Sequence, residues 1–290
     1  MRKGRASRTA EYVCLGRALA HDVVVPERFQ DPTASALLPE EARRELQRLR
    51  SGPAPERLRQ RLRHQYLKTQ AMVMAARTVA VDDAIRAAGS EQLVILGAGL
   101  DGRAWRMSEL EKVSVFEVDH PDSQREKRER VGKLTPASCD IRFVPVDFER
   151  DALDAALAAA GHDETRSTTW IWEGVVMYLS QADIEATLAV VQQRSAPGSQ
   201  LVIVYHAPAL ILSVVGLFLR RVGEPLRSAF TPTQMRALLA RYGFEVSADR
   251  DLPRIAATLS AEMASATRRV KHMRTVTAVT GSGRRGLPPR

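Results

Sequence analysis

Short apolar runs alternate with helix-like stretches from residue 92 onwards, and this alternation constrains the fold more than any other feature. The runs are QLVILG (92–97), VSVFEV (113–118), IRFVPV (141–146), TWIWE (169–173) and QLVIVYH (200–206). Apolar strands separated by helices predict an α/β fold, with a parallel sheet covered by helices on both faces. A capped helix and a sixth strand are predicted within 231–251, and the β-branched run 274–281 predicts a seventh strand.

The first 66 residues differ in character from the rest of the chain. They are helical in pattern and rich in arginine, which predicts a helical cap of residues 1–66 ahead of a sheet domain of residues 67–290. Residues 56–89 predict helix, in one piece or two, that ends at Gly89. A chain of 290 residues is long enough for one large domain with such an extension.

Charge and cysteine content restrict the setting in which the chain works. The formal net charge of +9 is concentrated at both ends, and basic chain ends are commonly solvated tails. Cys14 and Cys139 lie far apart and form no ligand-spaced cluster, so neither a disulfide framework nor a metal site is predicted. The apolar run near the N-terminus is too short for a signal peptide, and a cytoplasmic location is therefore expected.

One stretch, 201–221, is apolar enough to raise the question of a membrane span. His206 and Pro208 interrupt it. A strand followed by a short apolar helix explains the same pattern, so no stable membrane insertion is expected.

A glycine-rich turn follows the first predicted strand. Gly97, Gly99 and Gly102 match the spacing G-x-G-x-x-G, and Asp119 closes the next apolar run. This spacing is typical of dinucleotide sites, in which the third glycine lets a helix approach a pyrophosphate. A nucleoside cofactor without phosphates, such as S-adenosyl-L-methionine, needs only the first two glycines. The turn alone leaves both cofactors open.

The ends of the later strands favour the methyl donor. Asp119 ends the second strand, where a carboxylate accepts hydrogen bonds from ribose hydroxyls in either kind of site. Asp147 ends the third strand, where it would accept from an adenine amine while Phe148 lies against the ring. Glu173 ends the fourth strand, and a carboxylate there suits an ammonium or sulfonium group better than a pyrophosphate. The two aspartates equally suit helix N-caps, and Glu173 equally suits a structural pair with Arg103 or Arg106.

The chain also resembles the leucine carboxyl methyltransferase family, especially its bacterial branch of O-methyltransferases, which includes polyketide carboxyl methyltransferases. The motifs that carry the resemblance are ARTVAVDDAI (76–85), LGAGLDGR (96–103), FEVDHP (116–121), PVDF (145–148), WEGVVMYL (172–179) and GEPLRSAFTPTQMRALLARYGFEV (223–246). The resemblance implies a class I methyltransferase fold, with a Rossmann-like seven-stranded sheet, an N-terminal cap and an insert after strand five. The family usually has threonine in place of Gly102, so the third glycine is interpreted as incidental.

The resemblance implies roles for further residues. Arg77 would bind the carboxylate of S-adenosyl-L-methionine, a task suited to a guanidinium group. Residues 207–230 would form a lid over the methyl acceptor, and Tyr178 would line the acceptor pocket. His206, just past strand five, is the best-placed general base if the acceptor is a phenol, although a histidine there is also commonly structural.

The sequence thus predicts an S-adenosyl-L-methionine-dependent O-methyltransferase that acts on a small-molecule carboxylate or phenol. The positive charge keeps open a nucleic-acid methyltransferase. A protein that binds the cofactor without turnover is a further alternative. A dehydrogenase is the least favoured alternative, because the end of strand four suits a cation.

Overall fold

The computed structural model describes residues 8–52, 57–148, 150–209 and 226–281, and these residues contain one seven-stranded sheet. The strands are β1 (Gln92–Leu96), β2 (Ser114–Asp119), β3 (Asp140–Pro145), β4 (Thr168–Glu173), β5 (Gln200–His206), β6 (Phe244–Asp251) and β7 (Met273–Thr280). Their order is β3-β2-β1-β4-β5-β7-β6, and β7 runs antiparallel to both of its neighbours. The other pairings are parallel. All seven predicted strands are confirmed.

The described helices precede the sheet, connect its strands and follow it. Before β1 lie α1 (Arg8–Ala20), α2 (Ala34–Leu37), α3 (Glu40–Ser51) and α4 (Leu58–Ala88). Between the parallel strands lie α5 (Arg103–Arg106), α6 (Pro121–Val131), α7 (Leu153–Ala159) and α8 (Gln181–Gln193). The C-terminal part contains α9 (Pro232–Arg241), α10 (Leu252–Ala257) and α11 (Ala261–Thr267). Short 3₁₀ helices, Ser108–Leu110 and Val176–Tyr178, follow α5 and β4.

Both faces of the sheet are buried, as the apolar strands predict. Every residue of β1 and of β5 is buried. Because side chains alternate along a strand, Val94 and Leu96 enter the core beneath α7, α8 and α9, whereas Leu93 and Ile95 enter the core beneath the N-terminal helices. The sheet therefore separates two apolar layers and leaves the carboxyl ends of its strands for polar groups.

The N-terminal helices pack against one long helix. α4 is continuous over 31 residues and ends at Gly89, whose φ of 55° suits a residue without a side chain. The ring of Tyr12 on α1 stacks on Tyr66, and Gly16 lies against Met74, so α1 runs parallel to α4. The predicted boundary between residues 66 and 67 falls inside α4, which serves both the cap and the sheet domain.

The apolar stretch after β5 lies largely outside the described residues. Of the predicted lid 207–230, the structure describes only 207–209 and 226–230. Within the part of the chain that is described, no helix combines the length and apolar character needed to cross a bilayer.

The third glycine of the turn has a structural role that its sequence context does not reveal. Gly102 has a φ of −110°, so it is not needed for an unusual backbone angle. A Cβ at this position would collide with Thr33 Oγ1 and come within 3.4 Å of Asp31 Oδ1. Gly102 thus has a packing role that is separate from the choice of cofactor: its missing side chain lets the loop before α2 lie against the turn.

Replacement of Gly102 by alanine should lower the free energy of unfolding by about 1–3 kcal/mol, because the new methyl group overpacks the contact with Thr33. In the double variant Gly102→Ala/Thr33→Ala the colliding hydroxyl is absent. The double variant should therefore lose less free energy of unfolding than the sum of the losses in the two single variants. Urea denaturation of the wild type, both single variants and the double variant measures this coupling. Strictly additive effects would contradict the contact.

Candidate functional site

The candidate site lies at the carboxyl ends of β1, β2 and β4. The chain order reverses at β1, whose neighbours are β2 on one side and β4 on the other. In open parallel sheets this reversal leaves a crevice outside the strand ends, where ligands bind. The predicted cofactor residues on and after the strands fall at this edge because each one ends a strand or lies in the turn that follows it, whereas Arg77 reaches the edge from α4.

The glycine turn after β1 is shaped for close approach. Gly97 and Gly99 have φ values of 71° and 48°, a region that side chains disfavour. A Cβ on Gly97 would collide with Val175 Cγ2, in the loop after β4. A Cβ on Gly99 would lie 3.4 Å from Ala10 on α1. The first two glycines are thus required by the fold, and α1 lies directly over the turn.

Asp119 at the end of β2 links the turn to the next strand. Its Oδ2 accepts a hydrogen bond from the Gly99 N–H, and its Oδ1 accepts from the His120 N–H at 2.6 Å. Burial raises the pKa of the carboxyl, while the two N–H donors oppose that rise. The N-cap of α6 is His120, whose Nδ1 accepts from the Asp122 N–H at 3.2 Å, so Asp119 is not the capping residue.

Asp147 and Phe148 follow β3 on the same edge. Asp147 Oδ2 lies 4.0 Å from Nε2 of His120, the residue that follows β2. Its backbone carbonyl accepts from the Arg150 N–H at 2.8 Å, and α7 starts only at Leu153. Asp147 therefore does not cap α7. Phe148 is partly buried against the core beneath α7 and α8.

Glu173 at the end of β4 forms two ion pairs. Its Oε1 lies 2.6 Å from Arg77 Nε, and its Oε2 lies 2.9 Å from Arg103 Nη1. The structural pairing of Glu173 with Arg103 is confirmed, whereas Arg106 pairs with other carboxylates. The two residues assigned to the amino-acid part of the cofactor, Arg77 and Glu173, are neighbours in the fold.

These contacts belong to a larger buried charge cluster. Four arginines and four carboxylates form it: Arg17, Arg77, Arg103, Arg106, Asp31, Asp82, Asp101 and Glu173. None of their side chains is more than 11% exposed. The cluster has no net charge, and it joins α1, the loop before α2, α4, the glycine turn, α5 and β4.

Arg103 lies at the centre of the charge cluster. Its Nε is 2.7 Å from Asp82 Oδ1, and its Nη1 pairs with both Asp101 and Glu173. Asp82 also binds Arg106, with 2.7 Å between Oδ2 and Nη2. Burial favours the neutral carboxylic acid at Asp82, but Arg106 and Arg103 outweigh it and lower its pKa. The pKa values of Asp101 and Glu173 are lowered in the same way, because the arginines that face them outweigh the effect of burial.

Arg77 has less compensation than the other arginines. Its one ion pair within the described residues is with Glu173, which Arg103 shares. Burial lowers the pKa of Arg77, and the nearby charges of Arg17 and Arg103 lower it further, against the opposing effect of Glu173. A guanidinium remains charged even so. An added anion beside Arg77 would therefore be stabilised.

His206 at the end of β5 is buried next to a second histidine. The rings of His206 and His272 stack with their centres 5.3 Å apart. Burial, His272 and the charge of Arg77 together lower the pKa of His206 to about 4. Its Nδ1 is buried and makes no hydrogen bond to any described residue. His206 is thus a neutral ring with an available nitrogen.

The chain segment 226–230 connects the two predicted acceptor-side residues. The Arg227 N–H donates to the carbonyl of Met177 at 2.8 Å, beside Tyr178 in the 3₁₀ helix. The Phe230 N–H donates to the carbonyl of His206 at 3.0 Å. The turns after β4 and β5, with Tyr178 and His206, therefore contact one segment. Among the described residues, no group of three His, Cys, Asp or Glu side chains is placed to hold a metal ion.

The strand order and the glycine turn define the class of this protein: it has the class I methyltransferase fold. Two solved structures share it over nearly their whole length. One is a duf574 family protein from Streptomyces avermitilis (TM-score 0.61, 15% identity, 96% of this chain and 98% of that one). The other is a "putative methyltransferase" from Thermobifida fusca (TM-score 0.57, 14% identity, 97% of both chains).

The sequence comparison identifies the family. The profile described as leucine carboxyl methyltransferase matches residues 10–192, more than half of the chain. The chain belongs to the leucine carboxyl methyltransferase family, which confirms the resemblance noted from its motifs.

Related proteins in actinobacteria are named as methyltransferases. A "putative S-adenosyl-L-methionine-dependent methyltransferase" of Mycolicibacterium gilvum is 39% identical over 179 residues, 59% of this chain and 57% of the relative. A protein of the same name from Mycobacteroides abscessus is 34% identical over 200 residues, 67% and 65% of the two chains. The chain therefore spans less than two thirds of the length of these relatives. S-adenosyl-L-methionine is the cofactor of this class of protein.

Most of the charge cluster was not predicted from the sequence. Arg17 interrupts the apolar run YVCLGRALA, and Asp82 lies within the apolar stretch ARTVAVDDAI. A charged residue inside a buried apolar segment needs a partner of opposite charge, so these positions carried a signal. The sequence does not reveal the partner, because Asp31, Arg103 and Arg106 come from other elements.

Replacement of Asp82 by asparagine should lower the free energy of unfolding by about 3–5 kcal/mol, because Arg103 and Arg106 lose a buried countercharge. Asp83 provides the matched control on the same helix. Its side chain is 45% exposed and pairs with Arg28 and Arg86 at the surface, so Asp83→Asn should change stability by less than about 1 kcal/mol. Equal losses for the two variants in urea denaturation would show that the cluster does not hold the fold together.

Proposed function

We propose that the chain is an S-adenosyl-L-methionine-dependent O-methyltransferase that acts on a small-molecule carboxylate or phenol. The observation that carries the proposal is the placement of Asp119 against the glycine turn, with Arg77 and Glu173 side by side at the end of β4. The family supports transfer to oxygen, because its description names a carboxyl acceptor.

The residues present fit the cofactor. Gly97 and Gly99 have positive φ angles and no side chains, so the backbone of the turn is open to a ligand. A Cβ on Gly99 would lie 4.0 Å from Asp119 Oδ2, where it would hinder a ligand from reaching that carboxylate. Asp119 would accept hydrogen bonds from the ribose hydroxyls. Asp147 would accept from the adenine amine, with Phe148 against the ring. A nucleoside without phosphates needs no more than this.

The amino-acid part of the cofactor carries a carboxylate and an ammonium group, which match Arg77 and Glu173. Arg77 has less compensation than the other buried arginines, so a carboxylate beside it is favoured. Glu173 is ionised, because Arg77 and Arg103 lower its pKa against the effect of burial. An ionised carboxylate would bind the ammonium group through charge-assisted hydrogen bonds.

The bound cofactor supplies a methyl group already activated by a positively charged sulfur. The contribution of the protein is to align the acceptor oxygen and to exclude water. A carboxylate acceptor is ionised at neutral pH and needs no base. A phenol needs one, and His206 is neutral, buried and has an available Nδ1. Tyr178 would line the acceptor pocket from the turn after β4.

Nucleic-acid methylation is the alternative that the net charge suggests. Amino-group methyltransferases acting on adenine typically have an Asn/Asp-Pro-Pro-aromatic loop after strand four, whereas this chain has Glu173-Gly174-Val175-Val176. Methylation of cytosine C5 requires a nucleophilic cysteine. Cys14 is buried on α1, and burial raises the pKa of its thiol to about 11, which disfavours the reactive thiolate. Cys139 is exposed but directly precedes β3, at the edge of the sheet opposite the candidate site. The observations therefore favour a small-molecule acceptor.

Labelled S-adenosyl-L-methionine offered with a panel of carboxylic acids and phenols tests the proposed function. Transfer of label to a small molecule supports it. Binding of the cofactor without transfer to any acceptor favours a protein that binds without turnover. Transfer to DNA or RNA, or binding of NAD in place of the methyl donor, would replace the proposal by the nucleic-acid or the dehydrogenase alternative.

The variant Asp119→Ala should weaken binding of S-adenosyl-L-homocysteine by about 1–3 kcal/mol, the cost of losing charged hydrogen bonds to buried hydroxyls. It should also lower the melting temperature, because Asp119 accepts from the Gly99 and His120 N–H groups. The control is Asp122→Ala, on the first turn of α6 and paired with Arg125. Calorimetry on the folded proteins measures both affinities. Normal binding by Asp119→Ala would limit this residue to a structural role.

The variant His206→Asn distinguishes the two acceptor classes. With a phenol acceptor kcat should fall about 100-fold, the lower end for a general base, because a histidine with a pKa of about 4 is a weak base. With a carboxylate acceptor kcat should change less than about twofold, since no proton is removed. A pKa below the ordinary 6.5 keeps the ring neutral at neutral pH, so activity with a phenol should be lost only as the pH falls towards 4. Equal losses with both acceptors would assign His206 a structural role.

A further inference from the structure

The N-terminal half of α4 exposes an apolar stripe. Leu58, Leu62 and Tyr66 are 71%, 63% and 55% exposed, and they recur at intervals of four residues. Four residues advance an α-helix by about 40° beyond a full turn, so the three side chains lie within an arc of about 80°. Single exposed apolar residues are ordinary, but three in a row on one helix face form a patch, and such patches mark interaction surfaces.

Arginines flank this stripe on both sides. By the same helical geometry Arg59 lies about 20° beyond Tyr66, and Arg61 lies about 60° before Leu58. Both arginines are exposed. Neither forms an ion pair with another described residue, whereas the nearby Arg63 pairs with Glu45. No acidic residue occurs between Arg57 and Val81. The face therefore combines apolar side chains with uncompensated positive charge.

We propose that this face, Leu58, Arg59, Arg61, Leu62 and Tyr66, docks the protein on an anionic lipid surface. A helix with an apolar stripe flanked by arginines lies in the plane of a membrane, with the apolar side chains below the headgroups and the guanidinium groups at their phosphates. Charge complementarity favours lipid headgroups of negative charge. Nucleic acid would use the arginines but would leave the two leucines in water, and it is therefore the weaker match.

The continuity of α4 links this face to the candidate site. Arg77 follows Leu62 by 15 positions on the same helix, which corresponds to about 22 Å along the axis. α1 runs parallel to α4, and the chain before it carries Arg2, Lys3 and Arg5 without an acid. The start of α1 lies beside the stripe, because the ring of Tyr12 stacks on Tyr66. The start of α1 also lies over the glycine turn, where Ala10 faces Gly99, so α1 connects the docking face with the edge of the candidate site.

Co-sedimentation of the full chain with vesicles tests the proposal. Vesicles of phosphatidylcholine with phosphatidylglycerol should bind the protein at about 0.1 M salt, and vesicles of phosphatidylcholine alone should bind it at least tenfold less. Leu58→Ser/Leu62→Ser should reduce binding to the anionic vesicles at least tenfold, because the apolar side chains no longer insert. Arg59→Gln/Arg61→Gln should reduce it by a similar factor.

The matched control is Arg236→Gln/Arg241→Gln, which removes two exposed arginines from α9 on the other side of the sheet and should leave binding within twofold. A tryptophan at position 62 (Leu62→Trp) gives a second readout, since its emission should shift to shorter wavelength only with anionic vesicles. No binding by the wild type, or unchanged binding by the serine variant, would overturn the proposal. DNA binding lost in the glutamine variant, without vesicle binding by the wild type, would replace lipid by nucleic acid.

Discussion

A buried group of eight charges is the constraint on which the rest of the structure depends. An unpaired charge in a protein interior costs several kcal/mol, so the four arginines and four carboxylates are stable only together. Arg103 contacts Asp82 on α4, Asp101 in the glycine turn and Glu173 on β4, which fixes three separate elements relative to one another. The N-terminal helices, the glycine turn and the sheet are joined here by charge pairing, in addition to the apolar core that they share.

The charge cluster also sets the chemistry available at the candidate site. The cluster lies at the carboxyl ends of β1 and β4, and two of its residues, Arg77 and Glu173, belong to the candidate site. Glu173 is held between Arg77 and Arg103, so the proposed binding groups for the amino-acid part of the cofactor are already ordered. A site of this kind is preorganised, so binding free energy is not consumed in ordering its charged groups.

Much of the fold was predictable from the sequence because it depends on local patterns. Apolar runs bounded by glycine, proline and helical stretches are confirmed as strands β1 to β7. Asp119 and Glu173 are the last residues of β2 and β4, as predicted, and Asp147 lies two residues after β3. All three lie at one edge because parallel strands end at the same edge of a sheet. Asp119 and Asp147 also suited helix N-caps by sequence, but the N-caps of α6 and α7 are His120 and Ala152. The carboxylate of Asp119 instead accepts hydrogen bonds from the Gly99 and His120 N–H groups, which the sequence pattern does not show.

The sequence by itself determined the alternation of strands and helices, the glycine turn, the family motifs and the identity of the residues at the strand ends. Only the tertiary structure decided which charges meet, that α4 is one helix shared by the cap and the sheet, and that Gly102 makes room for Thr33. Periodicity and propensity act over a few residues, and they therefore specify elements. The pairing of Arg17 with Asp31 or of Arg103 with Asp82 depends on how those elements pack, because a buried charge selects its partner by distance in space and not by separation in sequence.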